Sequence, residues 1–378
     1  MVALEPSAAQ MWFCEFRQAA RPGLQMARKR GFATTSRGIM ETWNLGKVKS
    51  MAHTKTPSAG CSRRTFIGSV GIGALGQTCL GANVTGQRVS SRIDSTGSFA
   101  FCEGNALRID VPGLREPVRV AVAGDTHLAL RDDRDASYAA ACERFYSWGG
   151  KPEVFENTLK KIKERNTDLL ALVGDIQSFP SLANVEFVSQ ALKKSGLDWM
   201  YVAGNHDWHF EGVPGSDFEQ RAEWISRRLM PLYRGANPMF QSRVVKGVRF
   251  VMIDDSTYEI TEEQLAFWKD EAAKGEPVVL LMHIPLWTEG WSLFTCGNPN
   301  WGAATDPYWK IERRQRWPER QTDTTFAFRD AVLGTPNLVA VITGHIHALL
   351  AARERGRLMF SVPCNISGAH FDVRFNPV

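Results

Sequence analysis

Beyond about residue 95 the chain alternates between two kinds of hydrophobic patterning. Apolar runs of five or six residues, at 118–123, 169–173, 199–203, 278–282 and 338–343, read as strands buried on both faces. Amphipathic stretches at 155–165, 185–194, 218–229, 262–273 and 325–333 read as helices lying between or beside them. Residues 239–245 and 248–253, around Lys246-Gly247, predict a hairpin. Strands alternating with helices predict an α/β domain with its strands side by side. Neither an internal repeat nor a low-complexity tract interrupts residues 96–378.

Each of the five runs ends in a turn rich in ligand-type side chains. The turns are Gly124-Asp125-Thr126-His127, Gly174-Asp175, Gly204-Asn205-His206-Asp207, His283, and Gly344-His345-Ile346-His347. Sites in α/β sheets gather at the carboxyl ends of strands, where loops converge, so five such turns imply one shared centre.

The residue types suit divalent cations, which take carboxylate and imidazole ligands. Asp125 and His127, two apart on a turn, can address one ion together, and His345 and His347 repeat that spacing. Asp175 is a lone carboxylate suited to bridging, Asn205 offers an uncharged carbonyl oxygen, and His283 completes the set. His206 lies between Asn205 and Asp207, so it can face a leaving group as general acid while Asp207 orients its ring. Any one of these short motifs alone is weak evidence. Five of the eight histidines fall in these turns, beside Asp125, Asp175 and Asn205, and that joint placement carries the argument.

The ordered set D-x-H, G-D, G-N-H-D, H and G-H-x-H resembles that of the calcineurin-like metallophosphoesterases, over about residues 115–378. The resemblance implies a four-layer α/β/β/α sandwich. It also implies that Asp125, His127 and His347 hold one divalent ion and that Asn205, His283 and His345 hold a second. Asp175 would bridge the two, with His206 near the substrate phosphate. The implied activity is hydrolysis of phosphate mono- or diesters, with a hydroxide bridging two divalent ions as nucleophile. No core ligand is missing, which weighs against the alternative of a non-catalytic metal- or phosphate-binding module on the same fold. Purple acid phosphatases, a branch of the family, carry an iron-binding Tyr three residues after the bridging Asp. Ser178 stands there, so Mn, Zn or Fe(II) is expected rather than an Fe(III)–tyrosinate centre. Amidohydrolase barrels also use His-x-His, but on their first strand, whereas here it follows the last run.

Charge divides the 378-residue chain in two. Residues 1–84 hold eleven Lys/Arg against three Asp/Glu, leaving 34 basic and 37 acidic side chains for the remainder. The net +5 therefore belongs to a leader, and the body shows no polycationic signature for nucleic acid. The expected partner is a small phosphate ester. Arg63-Arg64 leads directly into an uncharged, Gly-rich apolar run too short for a membrane span, which resembles a twin-arginine export signal. Export to a periplasmic or secreted location follows, with translation starting at Met51 and residues 1–50 a mis-assigned start. The alternative takes the Arg-rich, acid-poor opening as an organellar transit peptide, or the protein as cytoplasmic. Residues 1–95 are expected to stand outside the fold. None of the seven cysteines forms a metal-type pair, and structural thiols are the simplest reading.

Two insertions flank the expected centre. Residues 286–323 carry five of the twelve tryptophans and the cluster Arg313, Arg314, Arg316 and Arg320. They read either as a loop over the site with a phosphate-clamping Arg or as a satellite core with internal ion pairs. Residues 128–153, Asp-rich and then helical, are expected to wall the pocket. His209 is expected at the surface, and Asp254-Asp255 in a turn or cap role.

Overall fold

The computed structural model describes residues 89–91, 99–286 and 322–378. The leader with Arg63-Arg64, and the tryptophan- and arginine-bearing segment 287–321 with Cys296, fall outside the described residues.

The strands, in chain order, are β1 (Val89–Ser91), β2 (Phe99–Glu103), β3 (Ala106–Val111), β4 (Val118–Ala123), β5 (Leu169–Val173), β6 (Trp199–Val202), β7 (Phe240–Val245), β8 (Val248–Ile253), β9 (Val278–Leu281), β10 (Leu338–Thr343), β11 (Leu350–Glu354), β12 (Arg357–Ser361) and β13 (Phe371–Pro377). They form two sheets, ordered β1-β2-β3-β13-β4-β5-β6 and β11-β12-β10-β9-β8-β7. The parallel trio β4, β5 and β6 lies in the first, and the parallel set β8, β9, β10 and β12 in the second. The five ligand-bearing runs thus do not share one sheet. β4, β5 and β6 deliver three turns, and β9 and β10 deliver the other two from the facing sheet.

Strand periodicity explains why those runs are apolar throughout. In β5, Leu169, Ala171 and Val173 point into a core between the sheets, while Leu170 and Leu172 point the other way. Phe250, Met252, Val279, Leu281 and Ile342 meet the inner face of β5 from the second sheet. Helices Pro152–Glu164 and Leu182–Ser195 cover the outer face of the first sheet with Phe155, Leu159, Ile162, Val188 and Leu192. Helices Glu262–Ala272 and Asp323–Gly334 cover the second with Trp268, Phe328 and Val332, against Val251, Leu280 and Val341. This is the four-layer α/β/β/α sandwich. Burying a side chain of this size contributes about 1.5–3 kcal/mol, so three such cores fix the strand ends firmly.

Three details differ from the sequence reading. Val89–Ser91, on the leader side of the boundary expected near residue 95, pairs antiparallel with β2, which moves the start of the fold toward the N-terminus. The helix expected over 218–229 is α-helical only at Asp217–Trp224 and continues as a π-turn, Ile225–Leu229. Pro231, just beyond, has no N–H with which to extend an α-helical ladder. Helix Leu182–Ser195 starts earlier than its apolar periodicity suggests, because the Ser181 hydroxyl accepts from the Asn184 N–H and caps it. Cys142 and Cys364 are both buried, in keeping with a structural role.

Candidate metal centre

All the turns named from sequence converge on one place. Asp125, His127, Asp175, Asn205, His206, Asp207, His283 and His345 are buried, and His347 is partly exposed. Three groups of ligand atoms lie close enough to share an ion: Asp125 with His127 and His347; His127 with Asp175 and His206; and Asp175 with His283 and His345.

The backbone at these turns is unusual. Asp125 (φ 53°), His127 (50°), Asp175 (51°), His345 (72°) and His347 (60°) all occupy the left-handed region. For a residue with a Cβ that conformation costs roughly 1–2 kcal/mol, so the surroundings must enforce it. Asp125 and His127 donate their N–H groups to the carbonyls of Gly174 and Asp175, at 3.0 and 2.9 Å, which zips the β4 turn to the β5 turn. The His345 N–H donates to both Asp125 carboxylate oxygens at 3.0 Å, and Gly344 N–H to the His283 carbonyl at 2.9 Å. Asn365 donates its N–H to the carbonyls of Gly124 and Asp125 and accepts from the Thr126 hydroxyl.

Glycine is required here by space. A Cβ on Gly204 would collide with the Asp175 side chain and amide, and one on Gly174 would lie 2.6 Å from His283 Nδ1. One on Gly344 would lie 2.8 Å from Asp125 Oδ2.

Asp175 sits at the middle of the cluster. Its Oδ1 accepts the His206 N–H at 2.8 Å, while Oδ2 lies 3.7 Å from His127 Nε2 and 3.2 Å from His283 Nε2. Burial opposes its ionisation, yet the surrounding imidazoles of His283, His206 and His127 hold its pKa well below the usual carboxylate range. Burial would also lower His283, but the Asp175 carboxylate, with Asp125 beyond it, raises that imidazole to about 10. Its Nδ1 donates to the Val173 carbonyl at 2.7 Å, which turns Nε2 toward Asp175. Burial drives His127 and His345 well below the ordinary histidine value.

This donor set fits divalent ions. His127 Nε2 and His347 Nε2 stand 2.9 Å apart, with Asp125 Oδ1 at 3.3 Å from the latter and 4.0 Å from the former. Ligands at about 2.1 Å from one ion are separated by roughly 3 Å, so these triangles have the dimensions of coordination edges. An ion requires neutral imidazoles and ionised carboxylates, the states that His127, His345 and Asp175 already hold, while His283 must give up a proton to join them.

Several roles differ from the sequence reading. Asp207 does not orient the His206 ring. Its Oδ2 accepts N–H groups of Gly204 and Asp175 at 2.7 Å, and Oδ1 accepts that of Gln177 at 3.0 Å, so it clamps the β5 turn to the β6 turn. Burial, then Asp175, push its pKa up to about 7 against the pull of those amides. His209, expected at the surface, is buried, and burial lowers its pKa to about 3. Asp255 does have the expected turn role: Oδ1 accepts the N–H groups of His283 and Ile284 at 3.2 and 3.1 Å. That this carboxylate braces His283, 28 residues further on, has no local signature. Ser178, at the purple-acid-phosphatase tyrosine position, donates its hydroxyl to the His127 carbonyl at 3.0 Å. The 128–153 segment walls the cluster as expected, with Trp148 5.0 Å from the His127 ring and Phe145 edge-on to His206 at 5.6 Å.

Two substitutions test this scaffold. Gly204→Ala should destabilise the fold by about 1–3 kcal/mol through overpacking and lower bound metal per chain, read by thermal melting and elemental analysis. Asp207→Asn would set an amide N–H₂ against backbone donors. A drop in stability of about 2 kcal/mol with lower metal content is expected, and unchanged metal content would contradict the clamp.

The family profile of calcineurin-like phosphoesterases matches residues 118–349. A protein of Psychrobacter arcticus named "Probable cyclic nucleotide phosphodiesterase" is 22% identical over 249 residues, spanning 63% of this chain and 75% of its own. Among solved structures, a dimetal phosphatase from Danio rerio is similar with a TM-score of 0.43 at 13% identity, covering 67% of this chain and 89% of its own. A purple acid phosphatase from yellow lupin gives 0.42 at 14%, covering 72% of this chain and 49% of its own. The motifs that converge on the cluster lie within the matched residues, and the chain belongs to the calcineurin-like phosphoesterases, a family of phosphoric ester hydrolases.

Proposed function

We propose that Asp125, His127 and His347 hold one divalent ion, that Asn205, His283 and His345 hold a second, and that Asp175 joins them in hydrolysing phosphate mono- or diesters. The observation that carries this reading is the position of Asp175 Oδ2, between the Nε2 atoms of His127 and His283, one from each proposed set. Two such ions, when bound, supply Lewis-acid activation of water and neutralise charge developing on a phosphoryl group. The protein's share is to hold seven ligands in place before substrate arrives. Hydrogen bonds accepted by Asp207 and Asp255 and donated by the Asn365 N–H fix the turns from behind. Trp148 and Phe145 shield the His127 and His206 rings from water. The serine hydroxyl of Ser178 supports Mn, Zn or Fe(II) in preference to an Fe(III)–tyrosinate centre.

His206 is the proposed general acid. Its backbone N–H is tied to Asp175 and its ring stands edge-on to His127 at 4.9 Å, which holds the ring against the ligand cluster and supports that role. Burial first, offset in part by Asp175, lowers its pKa to about 4, and the ring is neutral at pH 7 in the free site. The negative charge of a bound phosphate ester raises that value, which ties protonation of the acid to substrate binding. The name of the bacterial relative places cyclic nucleotides among the diesters to be screened. Export is supported by the Arg63-Arg64 pair ahead of its apolar run.

Metal analysis of the purified chain should give about two ions, falling to one or none on Asp175→Asn; an unchanged content in that variant would remove Asp175 from the bridge. An aryl phosphate and its diester, assayed with Mn(II), should both be tested, because no turnover of either would reduce the site to a binding module. His206→Ala should lose about 10²–10⁴-fold in kcat for an alkyl ester, whose leaving oxygen needs a proton, and far less for a nitrophenyl ester. Equal losses on the two leaving groups would rule out proton donation by His206.

A further inference from the structure

The segment that walls the cluster also carries a cation outside the donor set. Arg144 immediately precedes Phe145, at the head of the short helix Phe145–Trp148. Its guanidinium pairs with Glu211, whose side chain is 3% exposed, while Arg144 itself is 43% exposed. The guanidinium carbon lies 5.1 Å from the centre of the Phe145 ring, the ring that stands edge-on to His206. Burial chiefly, and the Arg144 charge in addition, hold down the pKa values of His206 and His209. A guanidinium that solvent can reach is thus fixed against the Phe145 ring that borders His206. Glu211, buried in the loop that follows the Gly204–Asp207 turn, supplies the fixing contact.

We infer that Arg144 binds a non-bridging oxygen of the substrate phosphate and gives the site a preference for phosphomonoester dianions over phosphodiester monoanions. This rests on the phosphoesterase reading above. The planar guanidinium fork matches phosphate oxygens, and its hydrogen bonds are charge-assisted. A monoester carries a second negative charge that a diester lacks, so it gains more from a charge-assisted contact with the guanidinium. The pairing with Glu211 orders a side chain that would otherwise lose rotamer freedom on binding substrate.

The rival account is that Arg144 only neutralises the buried Glu211 carboxylate. Calorimetric titration of the Mn(II)-loaded full chain with inorganic phosphate, beside steady-state kinetics on an aryl phosphate and its diester, separates the two. Arg144→Gln should weaken phosphate binding and raise the monoester KM by about tenfold or more, the loss of one charge-assisted contact, with the diester KM changed less than about threefold. Metal content should equal that of the parent, and Arg144→Lys should recover part of the affinity. The double variant Arg144→Gln/Glu211→Gln should regain thermal stability yet stay as weak for phosphate as Arg144→Gln. Parent-like phosphate affinity in the double variant would overturn the inference, as would equal KM increases for monoester and diester. If the parent turns over neither ester while Arg144→Gln still loses phosphate affinity, the hydrolase reading falls and the phosphate contact stands. If the parent is active and Arg144→Gln binds phosphate unchanged, Arg144 alone is withdrawn.

Discussion

A carboxylate buried among imidazoles is the constraint on which the rest of this molecule turns. Asp175 gives one oxygen to a backbone N–H of the β6 turn and aims the other between a histidine of the first sheet and one of the second. An ionised side chain removed from water is tolerated only where positive charge or hydrogen bonds replace its hydration. Everything around Asp175 supplies one or the other. Because its neighbours come from both sheets, its requirement also sets how the two strand layers meet at that end.

The local conformations are the cost of that convergence. Several ligand-type residues hold left-handed backbones that their side chains disfavour, and neighbouring glycines leave no room for a methyl group. No single contact sustains this. The turns brace one another through amide-to-carbonyl bonds between β4 and β5 and through amides that end on the carboxylates of Asp125, Asp207 and Asp255. Three carboxylates thus act as mortar between loops, and one of them, Asp125, also faces the centre.

The centre was largely legible in the sequence because its signals are local. A buried strand reads as an unbroken apolar run, and the polar turn that ends it stands out by contrast. Asp125, His127, Asp175, Asn205, His206, His283, His345 and His347 were all found in this way. Ser181 as a cap, Asp255 behind His283 and Asn365 behind Asp125 were not, because each acts across a gap in the chain or through the backbone. Asp207 was placed in the right turn with the wrong task, since sequence adjacency to His206 says nothing of which way a carboxylate faces. Strands β1 to β3 and β11 to β13 also escaped. Their mixed polar and apolar positions, such as Ala-Leu-Arg-Ile-Asp-Val in β3, lack the contrast that marks the central ones. The division into two sheets came from the family resemblance, as periodicity alone gave only strands side by side.

One of those missed strands has a bearing on how the molecule is made. β13 lies between β3 and β4, parallel to one and antiparallel to the other, with Val373 opposite Val120 and Leu107. Among the described residues no other strand joins β3 to β4, so the sheet stays in two halves until residues 371–377 are available. Asn365, on the way into that strand, also closes the turn that presents Asp125. Pairings across some 250 residues form slowly, after many local contacts have been made. The turn that presents Asp125 therefore has its full set of hydrogen bonds only once residues 365–377 have been made.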